Sequence, residues 1–560
     1  MTPPVNVAAH LARRAAASPA QVAVHDGERH VTFAQLSAAT DALTHGFAAA
    51  EVARGDRVAV MVPPSVEFFA VTFALLQLGA VPVMIDPGMG LRNLGNCLAH
   101  AEPAAFVGVL KAHVARRLFG WAKRSLRLTV NVGRWRFGCH HSTRSLTDTG
   151  LSRGPWRLPE FAPTDAAAVL FTSGSTGPAK GVNYPHGVFA AQVEALRELY
   201  GIEPGEVDLC TFPLFALFGP ALGMTCVIPR MNPSRPATID PEKAFAQMRQ
   251  YRVTNLFGSP AVIQRLGFRY HGRDSMTTLR RVISAGAPAD PFVLEWFQDG
   301  KLPSGVEIFT PYGATECLPV SSIGTHELLG ETVALTRAGR GTCVGRPVPG
   351  VTVAVVPISD GPIAAWDESL KLPTGVVGEF VVRGPVVTRE YFRNPAATAL
   401  AKIPDPATGE VLHRMGDVGY LDDAGRLWFC GRKSHRVETP SGTLFTEMVE
   451  GVFNETIGVA HTALVGVTRG GVTHPVLCYE RLKPADSPEG VFRLWPVPES
   501  QVLAKLRELG AEQAHTAGVV TYLRHPGFPV DPRHNSKIAR EKLAVWADRR
   551  LGPTWNGGPA

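Results

Sequence analysis

The chain has 560 residues, 45% of them hydrophobic and 19% charged, a composition typical of a soluble protein with roughly three to four domains. Its formal net charge is +7, which permits binding to nucleic acid, anionic lipid or an anionic substrate without selecting among them. The eight cysteines stand singly with no C-x-x-C pair, so neither a zinc site nor a disulfide framework is indicated and a reducing, cytoplasmic location is expected.

Strands and helices are predicted to alternate in the N-terminal region. Residues 1–19 lack the apolar core of a signal peptide, and residues 31–36 indicate a strand end, a helix N-cap and a helix start. Residues 57–62 and 80–85 have the apolar runs of buried strands, and residues 65–78 have apolar side chains at helical spacing. A strand, a helix and a strand in this order predict a parallel βαβ unit and therefore an α/β fold class.

The segment 111–144 is strongly basic. No acidic residue occurs between Pro103 and Thr147, whereas nine lysines and arginines do, interleaved with large apolar residues such as Phe119 and Trp135. We interpret this segment as a solvated basic face over an ordinary core helix. The alternative is an amphipathic surface that makes peripheral contact with a membrane or binds a protein partner.

A strand and a loop rich in hydroxyl groups and glycines follow. The apolar run 166–171 predicts a buried strand, and the loop after it suits a polyphosphate, because glycines let backbone N–H groups approach oxygens while hydroxyls and a lysine add donors and charge. The order of glycine and lysine matches neither G-x-x-x-x-G-K-[ST] nor G-x-G-x-x-G. A flexible surface linker is the alternative. The candidate ATP-binding residues here are Thr172, Ser173, Gly174, Ser175, Thr176, Gly177 and Lys180.

Residues 172–181 resemble the phosphate loop of the adenylate-forming enzymes, which include acyl- and aryl-CoA synthetases, luciferases and the adenylation domains of peptide synthetases. Four further stretches resemble other motifs of this superfamily, so the resemblance spans nearly the whole chain. It implies a large N-terminal domain of parallel-rich α/β subdomains plus a small β unit, followed by a small mobile α+β domain.

The stretch 209–229 carries no charge and is long enough to span a bilayer, but its prolines and glycines favour a strand, a turn and a buried helix instead. Its start resembles the superfamily segment that walls the acyl pocket, with Ala216 where many CoA synthetases have histidine. From residue 212 to residue 219 all side chains are apolar, which disfavours α-amino acids and suits long hydrocarbon. The candidate pocket residues are Phe212, Phe215, Ala216, Phe218, Gly219 and Gly258, and each phenylalanine could equally be an ordinary core residue.

Two stretches resemble the adenine and metal sites of the superfamily. Gly286, Ala287 and Pro288 match the turn that lies along the adenine. In the run Tyr312-Gly313-Ala314-Thr315-Glu316, the resemblance implies that the tyrosine stacks on adenine, the threonine meets the α-phosphate and the glutamate binds Mg²⁺. A carboxylate oxygen is a ligand that Mg²⁺ prefers, together with phosphate oxygens.

The C-terminal third carries the remaining motifs. Asp417 matches the aspartate that accepts from both ribose hydroxyls, and Arg432 matches an arginine that contacts ribose and phosphate. The expected division is an adenylation domain over residues 1–432, a hinge at 433–434 and a lid domain over 435–560. That lid carries Lys537, which matches the lysine that bridges substrate carboxylate and α-phosphate. Ser434 replaces the usual pivot residue, and the segment 445–450 departs from the family pattern.

The resemblance implies attack of a carboxylate on ATP to give an acyl-adenylate and pyrophosphate, with Lys537, Glu316 and Thr315 as catalytic residues and ATP and Mg²⁺ as cofactors. The pattern is most similar to the β-lactone synthetases of bacterial long-chain olefin biosynthesis, in which the β-hydroxyl of a 2-alkyl-3-hydroxy fatty acid then expels AMP and closes a lactone.

Such an enzyme would act in the cytoplasm, in an assembly with other enzymes of its pathway or at a membrane. The alternatives are a long-chain acyl-CoA or acyl-AMP ligase, which alone would use CoA, and a non-catalytic nucleotide-binding scaffold. His186 and His435 are conceivable bases, although ordinary hydrogen-bonded histidines are expected. No nucleic-acid partner is indicated.

Overall fold

A computed structural model of the chain describes residues 5–172, 179–269, 276–298, 302–482, 497–530 and 538–559. Within these residues the chain forms five β-sheets, three of them large, with helices packed on their faces. The mixed α/β fold with parallel sheets that the sequence predicts is therefore confirmed.

The first 185 residues contain all the strands of a seven-stranded sheet, together with two strands of another sheet. The elements are α1 (Ala8–Ala17), β1 (Val22–Asp26), β2 (Arg29–Thr32), α2 (Phe33–Ala49), β3 (Arg57–Met61), α3 (Val66–Leu78), β4 (Val81–Ile85), α4 (Leu91–Ala101), β5 (Ala105–Gly108), α5 (Leu110–Leu118), β6 (Leu128–Asn131), β7 (His141–Ser142), α6 (Thr143–Gly150), β8 (Ala166–Thr172) and β9 (Lys180–Pro185). The sheet order is β7-β6-β5-β3-β4-β8-β9, and every pair is parallel except β8 with β9.

Local sequence signals explain where the helices of this region begin. The Thr32 hydroxyl oxygen accepts a hydrogen bond from the Gln35 amide while the Gln35 side-chain oxygen accepts one from the Thr32 amide, a capping box that starts α2. The Ser65 hydroxyl oxygen accepts a hydrogen bond from the Phe68 amide and so caps α3, and Gly79 ends α3 with φ +78°. The predicted βαβ unit is β3, α3 and β4, and its strands are parallel.

Residues 186–347 form most of a second, nine-stranded sheet. The elements are α7 (His186–Tyr200), β10 (Val207–Cys210), α8 (Pro213–Ala216), α9 (Phe218–Leu222), β11 (Thr225–Ile228), α10 (Pro241–Tyr251), β12 (Asn255–Gly258), α11 (Pro260–Arg269), β13 (Arg281–Ser284), α12 (Pro291–Gln298), β14 (Glu307–Ala314), β15 (Cys317–Gly324), α13 (Thr325–Glu327), α14 (Val333–Arg337), β16 (Thr342–Cys343) and β17 (Arg346–Pro347). The sheet order is β17-β15-β14-β13-β12-β10-β11-β1-β2.

The uncharged stretch 209–229 folds as two strands joined by two short helices. No helix among the described residues combines the length and the apolar character needed to cross a membrane. The two short helices pack with β1, α2 and α3 in one hydrophobic core, so this core joins the two large sheets.

The remaining residues form a smaller antiparallel sheet and a C-terminal unit. The elements are β18 (Thr352–Val356), β19 (Gly378–Arg383), α15 (Pro395–Ala401), β20 (Lys402–Pro404), β21 (Val411–Leu421), β22 (Leu427–Arg432), β23 (Val437–Thr439), β24 (Gly442–Leu444), α16 (Thr446–Phe453), β25 (Val459–Arg469), β26 (Val472–Arg481), α17 (Glu499–Glu512), β27 (Thr521–Arg524) and α18 (Arg540–Leu551). Strands β16, β22, β21, β19 and β18 form the third sheet, and β20 pairs with β21.

The residues after 436 have hydrophobic cores of their own. Sheet β25-β26-β27 packs α16 and α17 in one cluster and α18 in another. The structure places the predicted hinge residues between β22 and β23, in a short helical turn over Lys433–His435. The domain boundaries and the hinge role of residues 433–434 stay predictions.

The basic segment has an exposed charged face and a face that meets the core. Helix α5 buries His113 and packs Ala112 and Ala115 against the core, whereas Leu110, Val114 and Leu118 on it are exposed. The role of this segment stays a prediction.

Candidate active site

The candidate site lies where strands of the two large sheets end. Lys180 begins β9 and is paired with Thr172 at the end of β8. Gly286 follows β13, and the turn that holds Glu316 follows β14. In open α/β sheets, ligands bind outside the carboxyl ends of the strands. Of the predicted residues, Ser173, Gly174, Ser175, Thr176, Gly177 and Lys537 lie outside the described residues, and so does the side chain of Thr172.

The turn with Thr315 and Glu316 is held by hydrogen bonds from distant parts of the chain. The Tyr184 hydroxyl donates to the Thr315 carbonyl. The amide and hydroxyl of Thr388 both donate to the Glu316 carbonyl, at 2.9 Å each. The Tyr391 hydroxyl donates to Oε1 of the Glu316 carboxylate at 2.7 Å, and burial together with this carboxylate raises the pKa of Tyr391.

Tyr391 also links this carboxylate to the predicted phosphate-loop lysine. The Nζ atom of Lys180 lies 5.1 Å from the centroid of the Tyr391 ring, within the range of a cation–π contact. Residues 388–392, which we call the bridging segment, run beside β9: the Phe392 amide donates to the Gly181 carbonyl at 2.7 Å, and the Asn183 amide donates to the Glu390 carbonyl at 3.3 Å. The bridging segment therefore joins the strand after the phosphate loop to the candidate metal ligand.

A buried lysine of β20 forms hydrogen bonds with the bridging segment. The ammonium group of Lys402, at the start of β20, donates to the carbonyl of Thr388 and, at 3.2 Å, to its hydroxyl. Burial lowers the pKa of Lys402 to about 8, and the charge of Glu316 opposes this shift. Burial and the charge of Lys402 in turn lower the pKa of His413, which pairs with Lys402 across β20 and β21.

The candidate ribose site contains a closed polar network. Asp417 and Arg432 are paired across β21 and β22, and an oxygen of Asp417 lies 2.8 Å from a guanidinium nitrogen of Arg432. The Tyr312 hydroxyl donates to the other Asp417 oxygen at 2.6 Å. Burial and this carboxylate raise the pKa of Tyr312 well above its ordinary value. These contacts bring three predicted nucleotide residues together.

The candidate adenine turn is open to solvent. Gly286 and Pro288 are exposed and Ala287 is half-buried. Gly286 has φ +101°, a conformation that favours glycine, so this residue lets the chain turn sharply after β13. Gly313 packs so closely that a Cβ atom there would lie 2.8 Å from the Cys317 carbonyl oxygen.

Most of the candidate acyl-pocket residues lie in the core. The Phe215 ring stacks on Phe257 at 3.6 Å, and Ala216, Phe218 and Gly219 are buried in the cluster that joins the two large sheets. Gly258, at the end of β12, is also buried. Phe212 is 38% exposed. Phe212 therefore has the free surface that a substrate wall requires, and the pocket role of this set stays a prediction.

The two conceivable bases have separate surroundings. The His186 ring packs against Phe161 with centroids 4.6 Å apart, and burial lowers its pKa to about 4. His435 lies 3.4 Å from a Glu541 oxygen, and burial and Arg540 lower its pKa to about 4. Both imidazoles are thus neutral near neutral pH.

Tyr391 and Lys402 are the site residues that sequence reasoning missed. Tyr391 lies 75 residues from Glu316, and no spacing pattern connects them. Lys402 gave one usable signal, because it is a single lysine after the apolar stretch 399–401.

The chain belongs to the AMP-binding enzymes, a family whose sequence profile matches residues 11–392. It is therefore an AMP-binding enzyme, as the sequence motifs predict.

Within this family the chain is similar over nearly its full length to two proteins named olefin beta-lactone synthetase. It is 47% identical to the one from Stenotrophomonas maltophilia, over 98% of this chain and 99% of the relative. It is 46% identical to the one from Xanthomonas campestris pv. campestris, over 98% of both. A 2-succinylbenzoate–CoA ligase of Geobacillus kaustophilus is 27% identical over 89% of this chain and 96% of the relative.

Solved structures share the fold. The amide bond synthetase McbA from Marinactinospora thermotolerans matches with a TM-score of 0.77 at 23% identity, over 97% of this chain and all of that structure. ATP-bound MatB from Rhodopseudomonas palustris matches with a TM-score of 0.77 at 21% identity, over 98% of this chain and all of that structure.

Proposed function

We propose that this enzyme is a β-lactone synthetase of long-chain olefin biosynthesis. Its substrate would be a 2-alkyl-3-hydroxy fatty acid, and its products would be a β-lactone, AMP and pyrophosphate. The observation that carries the proposal is the 47% identity to an olefin beta-lactone synthetase over 98% of the chain. The apolar character of residues 209–229 supports a hydrocarbon substrate.

The first step would be adenylation of the substrate. A carboxylate oxygen attacks the α-phosphorus of ATP, the bond to the β-phosphate oxygen breaks, and pyrophosphate leaves. No side-chain nucleophile is needed, because catalysis of such a step consists of positioning and charge neutralisation. We assign neutralisation to Lys537 and Lys180, and a hydrogen bond to the α-phosphate to Thr315.

Glu316 fits the role of a magnesium ligand. Tyr391 occupies Oε1, and within the described residues no hydrogen bond or ion pair reaches Oε2, so one oxygen can face a cation. No cluster of three metal-binding side chains occurs in the described part of the chain, which suits a Mg²⁺ ion held by one carboxylate and phosphate oxygens. Bound Mg²⁺ would supply Lewis-acid stabilisation of phosphate charge.

The nucleotide assignments rest on the polar network around Asp417. Asp417 would accept from the ribose hydroxyls and Arg432 would contact ribose and phosphate, with Tyr312 and the turn 286–288 beside the adenine. Because the Tyr312 hydroxyl and Arg432 already contact Asp417, ribose binding would share or replace these contacts.

In the second step the β-hydroxyl of the adenylate attacks the activated carbonyl. A carbon–oxygen bond closes the ring, the bond to phosphate breaks, and AMP and the hydroxyl proton are released. CoA takes no part in this step. We further propose a cytoplasmic enzyme that works in an assembly with enzymes that form the hydroxy acid and consume the lactone. The eight buried, unpaired cysteines support a reducing compartment.

Product analysis tests the proposal. The enzyme is incubated with Mg²⁺-ATP and a long-chain 2-alkyl-3-hydroxy acid, with and without CoA, and the products are analysed by NMR and mass spectrometry. AMP, pyrophosphate and a cyclic product lacking one water, formed without CoA, are expected. A thioester that forms only with CoA would instead identify a long-chain acyl-CoA ligase, and absence of pyrophosphate release would indicate a nucleotide-binding scaffold.

A further inference from the structure

Helix α5 exposes an apolar stripe. Leu110, Val114 and Leu118 are spaced four residues apart and therefore lie on one side of the helix. Their exposed fractions are 43%, 56% and 74%, whereas His113 is the buried residue of this helix. An isolated exposed leucine needs no explanation, but a continuous stripe on one short helix indicates a contact that the chain alone does not make.

A loop rich in aromatic residues extends this stripe. Trp135 and Phe137, between β6 and β7, are 61% and 50% exposed, and Phe119 at the end of α5 is also exposed. A guanidinium nitrogen of Arg117 on α5 donates to the Gly138 carbonyl, so the helix and the loop are joined. We call α5 together with residues 119–124 and 134–138 the basic aromatic surface.

Positive charge accompanies these apolar side chains. The exposed lysines and arginines of the surface are Lys111, Arg117, Lys123, Arg124, Arg134 and Arg136. Within the described chain, none of these six forms an ion pair, whereas two arginines nearby in the sequence do: Arg127 pairs with Asp56 and Arg144 with Asp148. The surface therefore carries a positive field that the protein itself does not neutralise.

We propose that the basic aromatic surface docks the enzyme on an anionic phospholipid bilayer. Aromatic and aliphatic side chains enter the boundary between headgroups and acyl chains, while lysines and arginines bind the lipid phosphates. The arrangement of the residues favours lipid over an acidic protein. Protein interfaces concentrate apolar residues at a centre and charges at a rim, whereas here the Arg134 guanidinium carbon lies 5.1 Å from the centroid of the Trp135 ring, so charged and aromatic groups are mixed in space.

Bilayer docking would also serve the proposed reaction. A long-chain hydroxy acid partitions into membranes, so an enzyme at the surface would meet its substrate there. This argument alone rests on the proposed function. The charge and exposure of the surface do not depend on it.

Vesicle flotation of the full chain without any substrate tests the proposal. Vesicles of phosphatidylcholine with phosphatidylglycerol should bind the enzyme, and vesicles of phosphatidylcholine alone should bind it weakly. Binding should weaken as salt rises, because the Debye length falls from about 10 Å at 0.1 M to about 3 Å at 1 M. Each basic side chain near an anionic leaflet contributes about fivefold to partitioning, so R134Q/R136Q should bind about 25-fold more weakly.

Matched variants distinguish a loss of this surface from a loss of charge or apolar area elsewhere on the protein. Trp135→Ser and Leu118→Ser should weaken binding even though they leave the charge unchanged. R549Q/R550Q removes the same charge from the end of α18, and Ile457→Ser removes a 73% exposed apolar side chain elsewhere; both should bind like the wild type. All variants change exposed residues, and an unchanged thermal unfolding curve would show that they fold.

Two results would overturn the docking proposal. One is equal binding to neutral and anionic vesicles, or binding to neither. The other is a loss of binding in the control variants that matches the loss in R134Q/R136Q. If vesicle binding is absent and an acidic protein is captured instead, the surface is assigned to a protein partner. Because no substrate is present, each of these results is independent of lactone formation.

Discussion

At the scale of single residues, Glu316 shows how the fold prepares a candidate metal ligand. Its carbonyl oxygen accepts two hydrogen bonds from Thr388, and one carboxylate oxygen accepts the Tyr391 hydroxyl. A carboxylate with one oxygen fixed presents the other in a defined direction, which lowers the entropy lost when a cation binds. Tyr391 is therefore a positioning residue for Glu316.

Tyr391→Phe should raise the Mg²⁺ concentration needed for half-maximal pyrophosphate release. The variant removes only the hydroxyl group that donates to the Glu316 carboxylate, and a hydrogen bond to a charged group contributes about 1.5–3 kcal/mol. Because this free energy orients Glu316 for the cation, the Mg²⁺ concentration for half-maximal pyrophosphate release should rise about tenfold or more. The measurement is a Mg²⁺ titration of pyrophosphate release at saturating ATP.

Tyr251→Phe is the matched control for this titration. Its hydroxyl donates to the Gly27 carbonyl at 3.1 Å, in a part of the second sheet remote from Glu316 in the sheet order. This variant should keep the wild-type Mg²⁺ dependence. An unchanged Mg²⁺ dependence in Tyr391→Phe as well would show that the hydroxyl does not position Glu316.

The predicted residues of the candidate site each lie in a short run that can be recognised by itself, whereas contacts between distant runs could not be predicted. Thr315 and Glu316 lie in one recognisable run with Tyr312, so the sequence placed all three in the site. Tyr391 reaches Glu316 only because the bridging segment lies beside β9 and the residue before it, Val387, pairs with Cys317 at the start of β15. A local sequence pattern does not predict such a contact.

At the scale of elements, the bridging segment depends on one buried ammonium group. Lys402 reaches it from β20 and donates to both oxygens of Thr388, the residue that holds the Glu316 carbonyl. Burial of a charge costs free energy, so this lysine opposes stability while it fixes the geometry of the site. Replacement of such a residue should lower the rate of the reaction while changing the stability of the fold little.

Lys402→Met should slow pyrophosphate release while changing the Tm at pH 7 little. Relief of the buried charge offsets the loss of hydrogen bonds to Thr388, a cost of about 1–3 kcal/mol, and methionine keeps the volume filled. Displacement of the bridging segment by about 1 Å would lower the rate up to about 100-fold. The measurements are pyrophosphate release and thermal unfolding on the same samples.

The pH dependence of the Tm gives an independent test of Lys402. The pKa of about 8 in the folded protein lies below the ordinary lysine value, so the cost of burying the charge is full below pH 8 and falls as pH rises toward 10.5. The Tm of the wild type relative to Lys402→Met should therefore rise over that interval. Lys505→Met, which changes an exposed lysine paired with Glu508, should show no such rise. A Tm difference between wild type and Lys402→Met that stays constant with pH would contradict this account.

Elements were predictable where a local period or cap defines them. The unit of β3, α3 and β4 follows from apolar runs and helical spacing, and Thr32 gives the start of α2. The sheet order was not predictable, because β1 pairs in parallel with β11 about 200 residues later through the shared core. The exposure of Leu110, Val114 and Leu118 on α5 was not predictable, since the sequence does not show which faces of this helix meet solvent.

At the scale of the whole molecule, the proposed C-terminal domain packs on the third sheet through α16. Gly431 of β22 approaches this helix so closely that a Cβ atom there would lie 2.3 Å from the Thr446 hydroxyl oxygen. The Thr342 hydroxyl of β16 donates to Glu447 of α16 at 3.2 Å. Burial and the neighbouring Glu450 raise the pKa of Glu447 to about 7, while Arg540 lowers it.

Docking of this domain should weaken as pH rises. If the domain opens, Glu447 becomes exposed and regains an ordinary pKa near 4.5, so the docked state binds its proton more tightly than the open state. The stabilisation of docking is then fully present below about pH 4.5 and is lost as pH rises through about 7. Small-angle X-ray scattering between about pH 5 and pH 8 should show a radius of gyration that grows with pH.

Glu447→Gln should remove this pH dependence. Glutamine keeps an oxygen that can accept the Thr342 hydroxyl but has no proton to lose near neutral pH, so the variant should stay docked at all these pH values. Glu455→Gln is the control, because it changes an exposed carboxylate that pairs with Arg337 of α14 and should leave the wild-type response intact. A radius of gyration that changes equally with pH in wild type and Glu447→Gln would place the pH response elsewhere. A response confined to the chains that retain Glu447 would mean that ionisation of this one buried carboxylate biases the whole C-terminal domain toward its open position.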